Sequence, residues 1–182
     1  MRKITEKEQK NIIYLYGAIW ASIIMAFIPS ISFTLVATIL FIFLLIAAYI
    51  LRSKSEALSF SNNHATYIIR SIWFGIFILP ALTLTTAIIY LLPNYDPNAM
   101  TVCASPLYEH ILANPESTDM QELYGFIAPC MPEFMRTNGQ TLAISGLIAI
   151  LPILIYLLYR FGKGTVLAMK GKEINKPKSW II

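Results

Sequence analysis

Charge is what this chain has least of. Only 13% of its 182 residues are Asp, Glu, Lys or Arg, while 57% are hydrophobic; a soluble domain carries about 25% charged residues. A chain this short and this apolar cannot hide its hydrophobes in one water-soluble core, which excludes an ordinary soluble globular protein. Histidine is scarce as well, with His64 and His110 the two copies. No Ser-His-Asp set, no phosphate-cradling glycine loop and no H-E-x-x-H segment is present, so no enzyme activity is expected. Basic and aromatic residues are not interleaved as on a nucleic-acid surface, so no nucleic acid is expected as a partner. No metal or cofactor is expected either. His110 beside Glu109 is one imidazole without partners at ligand spacing, and in the topology below His64 and His110 face opposite membrane sides and cannot share a haem.

What the chain has instead is a succession of long apolar runs. The first spans 11–28, "NIIYLYGAIWASIIMAFI", and is broken by Pro29 and Ser30. The second spans 33–51 and stops at Arg52, the third spans 68–92 and stops at "PNYDP", and the fourth spans 141–159 and stops at Arg160. Each approaches the ~20 residues needed to cross the hydrocarbon. None holds an ionisable Asp, Glu, Lys or Arg well inside it; Arg70 lies at an end. The predicted fold is an all-α membrane protein. It is a single membrane domain over 1–182, a bundle of four transmembrane helices with a long extracytoplasmic loop, 93–140, between helices 3 and 4. A basic cytoplasmic tail, 160–182, follows. The "PSIS" turn makes the first two spans antiparallel neighbours, and Ala18, Ser22 and Ala26 give the first span a small-residue face for close helix approach.

Orientation follows from the cations. Arg2, Lys3, Lys7 and Lys10 precede the first run; Arg52 and Lys54 lie between the second and third, with Arg70 at the edge of that connection. Arg160, Lys163, Lys170, Lys172, Lys176 and Lys178 follow the fourth. The loop 93–140 has Arg136 alone, against Asp96, Glu109, Glu116, Asp119, Glu122 and Glu133. Thirteen of the fourteen cations thus fall on one side, and the positive-inside rule makes both termini cytoplasmic. The first run exceeds the ~7–15 residues of a signal peptide's apolar core and no A-x-A site follows it, so it is expected to be retained.

Cys103 and Cys130 both fall in the acidic loop, on the side where disulfides persist. A structural bridge is the favoured reading. Free thiols and a redox pair are the alternatives, the latter lacking the C-x-x-C spacing that lowers a thiol pKa. Two short amphipathic helices are predicted in this loop. One starts at Ser105–Pro106 and runs through "LYEHILA". The other follows an Asp119–Glu122 capping box, with Met120, Leu123, Tyr124 and Ile127 on one face, and ends at Pro129 and Pro132.

Polarity gathers at the start of the third span, in "SFSNNHATYIIRSIWFG". On a helix Asn63, Tyr67, Arg70 and Phe74 share one narrow face, with His64 and Ser71 beside it. Trp73 lies on the same stretch, and Tyr159 and Arg160 close the fourth span. Interfacial anchoring explains Tyr, Trp and a snorkelling Arg. Amide, imidazole and guanidinium on one helix also suit bonds to neighbouring helix ends, to the tail, to a lipid headgroup or to a partner. The expectation is that Asn63, His64 and Arg70 tie the start of span three to the "YRFGKG" end of span four and to headgroups.

The segment "NNHATYIIRSIWFGI" resembles the "SH-x-x-x-x-IRTFW" signature of small bacterial inner-membrane proteins of the DUF4870/Tic20-like type. "YLLYRFGKGTVLAMKGKEI" is similar to their terminal "YR-x-x-x-G-x-x-x-L-x-x-GKP" segment. The matching positions are His64, Ile69, Arg70, Trp73, Tyr159, Arg160, Gly164, Leu167, Gly171 and Lys172. With the spans, the resemblance covers most of the chain. It implies a helical bundle in a bacterial inner (plasma) membrane, no established enzyme activity, and a setting near protein translocation; with the orientation read from the cations, loop 93–140 is then expected to be periplasmic.

The expected function is that of a non-catalytic membrane component, a scaffold, assembly factor or accessory subunit. Its expected partners are the lipid bilayer and other membrane protein subunits. The alternative is an oligomeric channel or transporter component. Its candidate features are Pro80 and the hydroxyls of Thr83, Thr85 and Thr86 in "LPALTLTTA", which predict a helix kink rather than a pathway.

Overall fold

The structure is a computed structural model that describes residues 4–113 and 120–180; the side chains at 102, 103 and 120–122 fall outside the description. Every element among the described residues is helical. Helices α1 (Glu6–Ala26), α2 (Ile31–Lys54) and α3 (Phe60–Trp73) lead into a π-helical turn, Phe74–Ile78, and α4 (Leu79–Asn94). A 3-10 turn, Pro97–Met100, opens α5 (Thr101–Ala113). Helix α6 (Met120–Ile127), a 3-10 turn Ala128–Cys130 and α7 (Met131–Met169) complete the order.

Three stretches are long and apolar enough to cross a membrane: Ile31–Lys54, Phe60–Asn94 and Leu123–Met169. At 1.5 Å per residue α2 extends about 36 Å, more than the ~30 Å hydrocarbon layer. Helix α1, formed by the first predicted run, is not among the three. Its opening turns carry Glu6, Lys7, Glu8, Gln9, Lys10 and Asn11, so its apolar part starts only at Ile12. A capping box starts α1: Glu8 N–H donates to the Thr5 hydroxyl at 3.3 Å and Thr5 N–H to the Glu8 carboxylate at 3.2 Å.

Several helix ends differ from the predicted ones, each for a local reason. The third run becomes helical at Phe60 rather than 68, because the Ser59 hydroxyl caps it by accepting from Asn62 N–H at 3.2 Å. The helix of the fourth run starts at Met131 and ends at Met169, well beyond 141–159. Arg160 does not stop it, since its side chain is buried and bonded, and the tail begins after Met169 rather than at 160. Pro132, expected to end a helix, lies in the first turn of α7, where its missing N–H costs no bond. Ser105–Pro106 does not start α5. Asp96 and Pro97 nucleate the preceding turn, with the Asp96 carboxylate accepting from Asn98 N–H at 2.9 Å. The predicted Asp119–Glu122 box and the Met120 side chain lie outside the described residues.

The chain forms two compact units, one of residues 1–81 with 152–182 and one of residues 82–151. The first is built on α1, α2, α3 and the end of α7. Ile12, Tyr16 and Ile19 of α1 pack with Leu44 of α2, Ile68 of α3 and Phe161 of α7 in its core. Of the three small residues on α1, Ser22 is the buried one; its hydroxyl donates to the Ala37 carbonyl at 2.9 Å and joins α1 to α2. The π turn precedes Pro80, whose absent N–H removes a helical bond. Gly75 within it lets α7 approach: a methyl there would meet Leu157 Cδ2 at 2.6 Å and the Tyr156 ring at 3.2 Å. In the second unit Asn138, fully buried, accepts from Asp96 N–H at 2.8 Å and donates to the Asp96 carbonyl at 3.0 Å. His110, beside Glu109, stacks on Phe126 with ring centroids 4.8 Å apart.

Candidate functional site: a polar cluster that holds the C-terminal segment

The cluster starts from the end of α7. Gly171 takes φ +61°, a conformation that glycine adopts without steric cost. Gly171 N–H donates to the Ala168 carbonyl at 3.0 Å and Lys172 N–H to the Leu167 carbonyl at 2.9 Å, the two bonds of a Schellman end. Gln9 of α1 caps the same end, its amide donating to the carbonyls of Ala168 at 3.0 Å and Met169 at 2.9 Å. The chain then turns back as a strap, residues 172–180, along the polar face of α3.

Side chains of α3 and α7 hold this strap by its main chain. The Asn63 carboxamide donates to the Ile174 carbonyl at 3.0 Å and accepts from Ile174 N–H at 2.9 Å. His64 Nε2 lies 3.1 Å from the Lys172 carbonyl. Arg70 donates to the Lys178 carbonyl, Arg160 to the Ser179 carbonyl at 3.1 Å, and Tyr156 to the Trp180 carbonyl at 3.2 Å. Ile174 is buried beneath, whereas Lys172, Lys176 and Lys178 are exposed.

Beneath the strap lies a buried polar network. Arg160 is 2% exposed; its Nε donates to the Ser71 hydroxyl at 3.0 Å and its guanidinium lies 3.8 Å over the Tyr67 ring. Ser71 in turn donates to the Tyr67 carbonyl at 2.8 Å, and the Tyr67 hydroxyl donates to the Arg160 carbonyl at 3.1 Å. A carbonyl only accepts, so His64 carries a proton on Nε2. In the neutral imidazole Nδ1 then accepts from the Tyr16 hydroxyl, 3.2 Å away. Gly164 makes room for that tyrosine: a methyl at Gly164 would come within 2.6 Å of Tyr16 Cζ.

Asn63, His64, Tyr67, Arg70 and Arg160 of the predicted site are therefore brought together. Two are not. The Trp73 indole donates to the Tyr49 hydroxyl at 2.9 Å and its ring stacks on Phe77, while Tyr159 is exposed and accepts from Lys163 at 3.3 Å. Cys130 is buried at the end of its 3-10 turn; the Cys103 side chain lies outside the described residues. Sequence reasoning missed Gln9, Tyr16, Tyr156 and Asn138. Tyr156 stands one turn before Arg160, and Asn138 is an amide near the start of an apolar run; both spacings were visible signals.

Chemically, this arrangement fastens. An apolar cavity of about 500 Å³ also lies in the first unit, between α1, α2, the π turn and α7. Its two hydroxyls are spent on main-chain carbonyls, Ser22 on Ala37 and Thr38 on Thr34 at 2.8 Å. Fold and site together define an all-helical protein with helices fit to span a membrane, whose polar side chains hold its own C-terminal segment. The chain matches no protein family, no curated protein and no solved structure.

Proposed function

We propose that the chain is a non-catalytic integral membrane protein, a scaffold, assembly factor or accessory subunit that binds other membrane proteins. One observation carries this reading: the polar residues of α3 and α7 are engaged with the chain's own main chain and with one another rather than converging on a cavity. The proposal includes a fourth span formed by α1, packed on α2 through Ser22, and both termini on the cytoplasmic side. The division of charge supports that orientation. The first compact unit holds thirteen Lys and Arg against Glu6, Glu8, Glu56 and Glu173; the second holds Arg136 against six carboxylates. The resemblance to the DUF4870/Tic20-like type of bacterial inner-membrane protein belongs to the same reading. Purification in mild detergent should recover the protein in a hetero-complex of fixed stoichiometry. Recovery only as a homo-oligomer that conducts ions in planar bilayers would favour the channel or transporter reading instead, for which the π turn within Phe60–Asn94 is the supporting feature.

We also infer a Cys103–Cys130 disulfide. Helix α5, which bears Cys103, packs against the 3-10 turn that bears Cys130. Closing a loop of about 28 residues contributes roughly 3.5 kcal/mol in the chain-entropy picture. Alkylation without reductant, followed by mass measurement, should leave both thiols unlabelled; labelling of both refutes the bridge.

A further inference from the structure

We propose that Arg70, Lys178 and Trp180 form a headgroup site for an anionic phospholipid, an inference that rests on the membrane reading above. The strap is seated through its main chain and through Ile174, so its lysine side chains take no part in holding it. Lys172, Lys176 and Lys178 stand exposed, with Glu173 the one acid among them. Arg70 is half-buried: it donates to the Lys178 carbonyl and its guanidinium lies 4.6 Å over the Trp180 ring. A guanidinium has five N–H donors, and one carbonyl does not exhaust them.

Arg160 binds the next carbonyl along, that of Ser179, so two guanidinium groups are fixed on successive carbonyls. Among the described residues no carboxylate lies within ion-pair distance of either. Arg70, half-buried and bonded to one carbonyl, keeps donors for an anion, while Arg160, 2% exposed, adds its charge from beneath the strap. A phosphodiester suits the groups present. Arg engages phosphate through its planar fork, Lys adds a point charge, and Trp belongs at headgroup depth. Attachment of the strap to two helices fit to span the membrane favours a lipid phosphate over an acidic peptide, and juxtamembrane lysines attract anionic leaflets.

The test uses the full-length protein in nanodiscs of phosphatidylcholine alone or with phosphatidylglycerol, read by thermal unfolding and by native mass spectrometry of retained lipid. Wild type should unfold at higher temperature with phosphatidylglycerol and retain it. The double substitution K176Q/K178Q leaves the main-chain bonds of the strap intact. It should therefore unfold like wild type in phosphatidylcholine yet lose most of the phosphatidylglycerol shift and the retained lipid. R70Q should lose them as well. An unchanged shift in K176Q/K178Q, or none in wild type, overturns the site. An equal shift from inorganic phosphate in phosphatidylcholine discs overturns the lipid in favour of a soluble anion. Extraction of the protein from native membranes by alkaline carbonate would instead overturn the membrane reading itself.

Discussion

Asn63 and Asn138 solve the same problem in separate units. Each pairs its carboxamide with both the N–H and the C=O of one distant residue, Ile174 or Asp96, as a strand neighbour would. In an all-helical chain this supplies partners for main-chain groups outside the helices, which cannot stay unpaired when buried. Asn63→Ala should therefore cost about 1–3 kcal/mol through the two groups it orphans. Trypsin should then cleave after Lys172 and Lys178 faster than in wild type, Pro177 blocking cleavage after Lys176. The two close-packed glycines should respond unequally. Gly164→Ala meets the ring of Tyr16, which is fixed by its bond to His64. Gly75→Ala meets a methyl of Leu157 that can turn aside, and the Tyr156 ring at 3.2 Å, which must give only by a few tenths of an ångström. Thermal unfolding in detergent should show a loss of about 1–3 kcal/mol for Gly164→Ala and a smaller one for Gly75→Ala. The α3 half of the cluster was legible, because Asn63, Tyr67 and Arg70 fall at helical spacing. Tyr16 was not, since a tyrosine in an apolar run reads equally as an interfacial anchor.

Among the elements, the apolar runs marked out the helices and misjudged their ends. A charged residue normally closes a span, yet Arg160 lies inside α7, because Ser71, Ser179 and the Tyr67 ring give its guanidinium partners within the fold. Prolines misled for a related reason: Pro132 is harmless in a first turn, and Pro106 is carried inside a helix already started by the turn before it. The turn between α2 and α3 contains a weakness that composition does not reveal. Leu58 is 94% exposed and takes φ +70°, a conformation costly for a residue with a Cβ. Leu58→Gly should raise stability by up to about 1 kcal/mol, allowing for the greater freedom of glycine in the unfolded chain. A rise in midpoint temperature would register it; a fall would mean that Leu58 makes a contact in the bilayer.

At the scale of the whole molecule, the partition of charge and the partition into compact units coincide. With thirteen cations in one unit, reporter fusions at the C-terminus and near position 114 should report opposite sides of the membrane. The same side for both would overturn the topology. The strap was the least legible part of the site. "EINKPKSW" has no apolar period, and its partners grip carbonyls that every residue type presents alike. A segment held in this way is measured by length more than by spelling. Replacing Glu173, Asn175 or Lys176 should leave it seated, whereas deleting one residue between Ile174 and Lys178 would slide the later carbonyls out of step with Arg70, Arg160 and Tyr156 together. Between Ile174 and Lys178 the strap can therefore exchange its exposed side chains while being unable to change its number of residues.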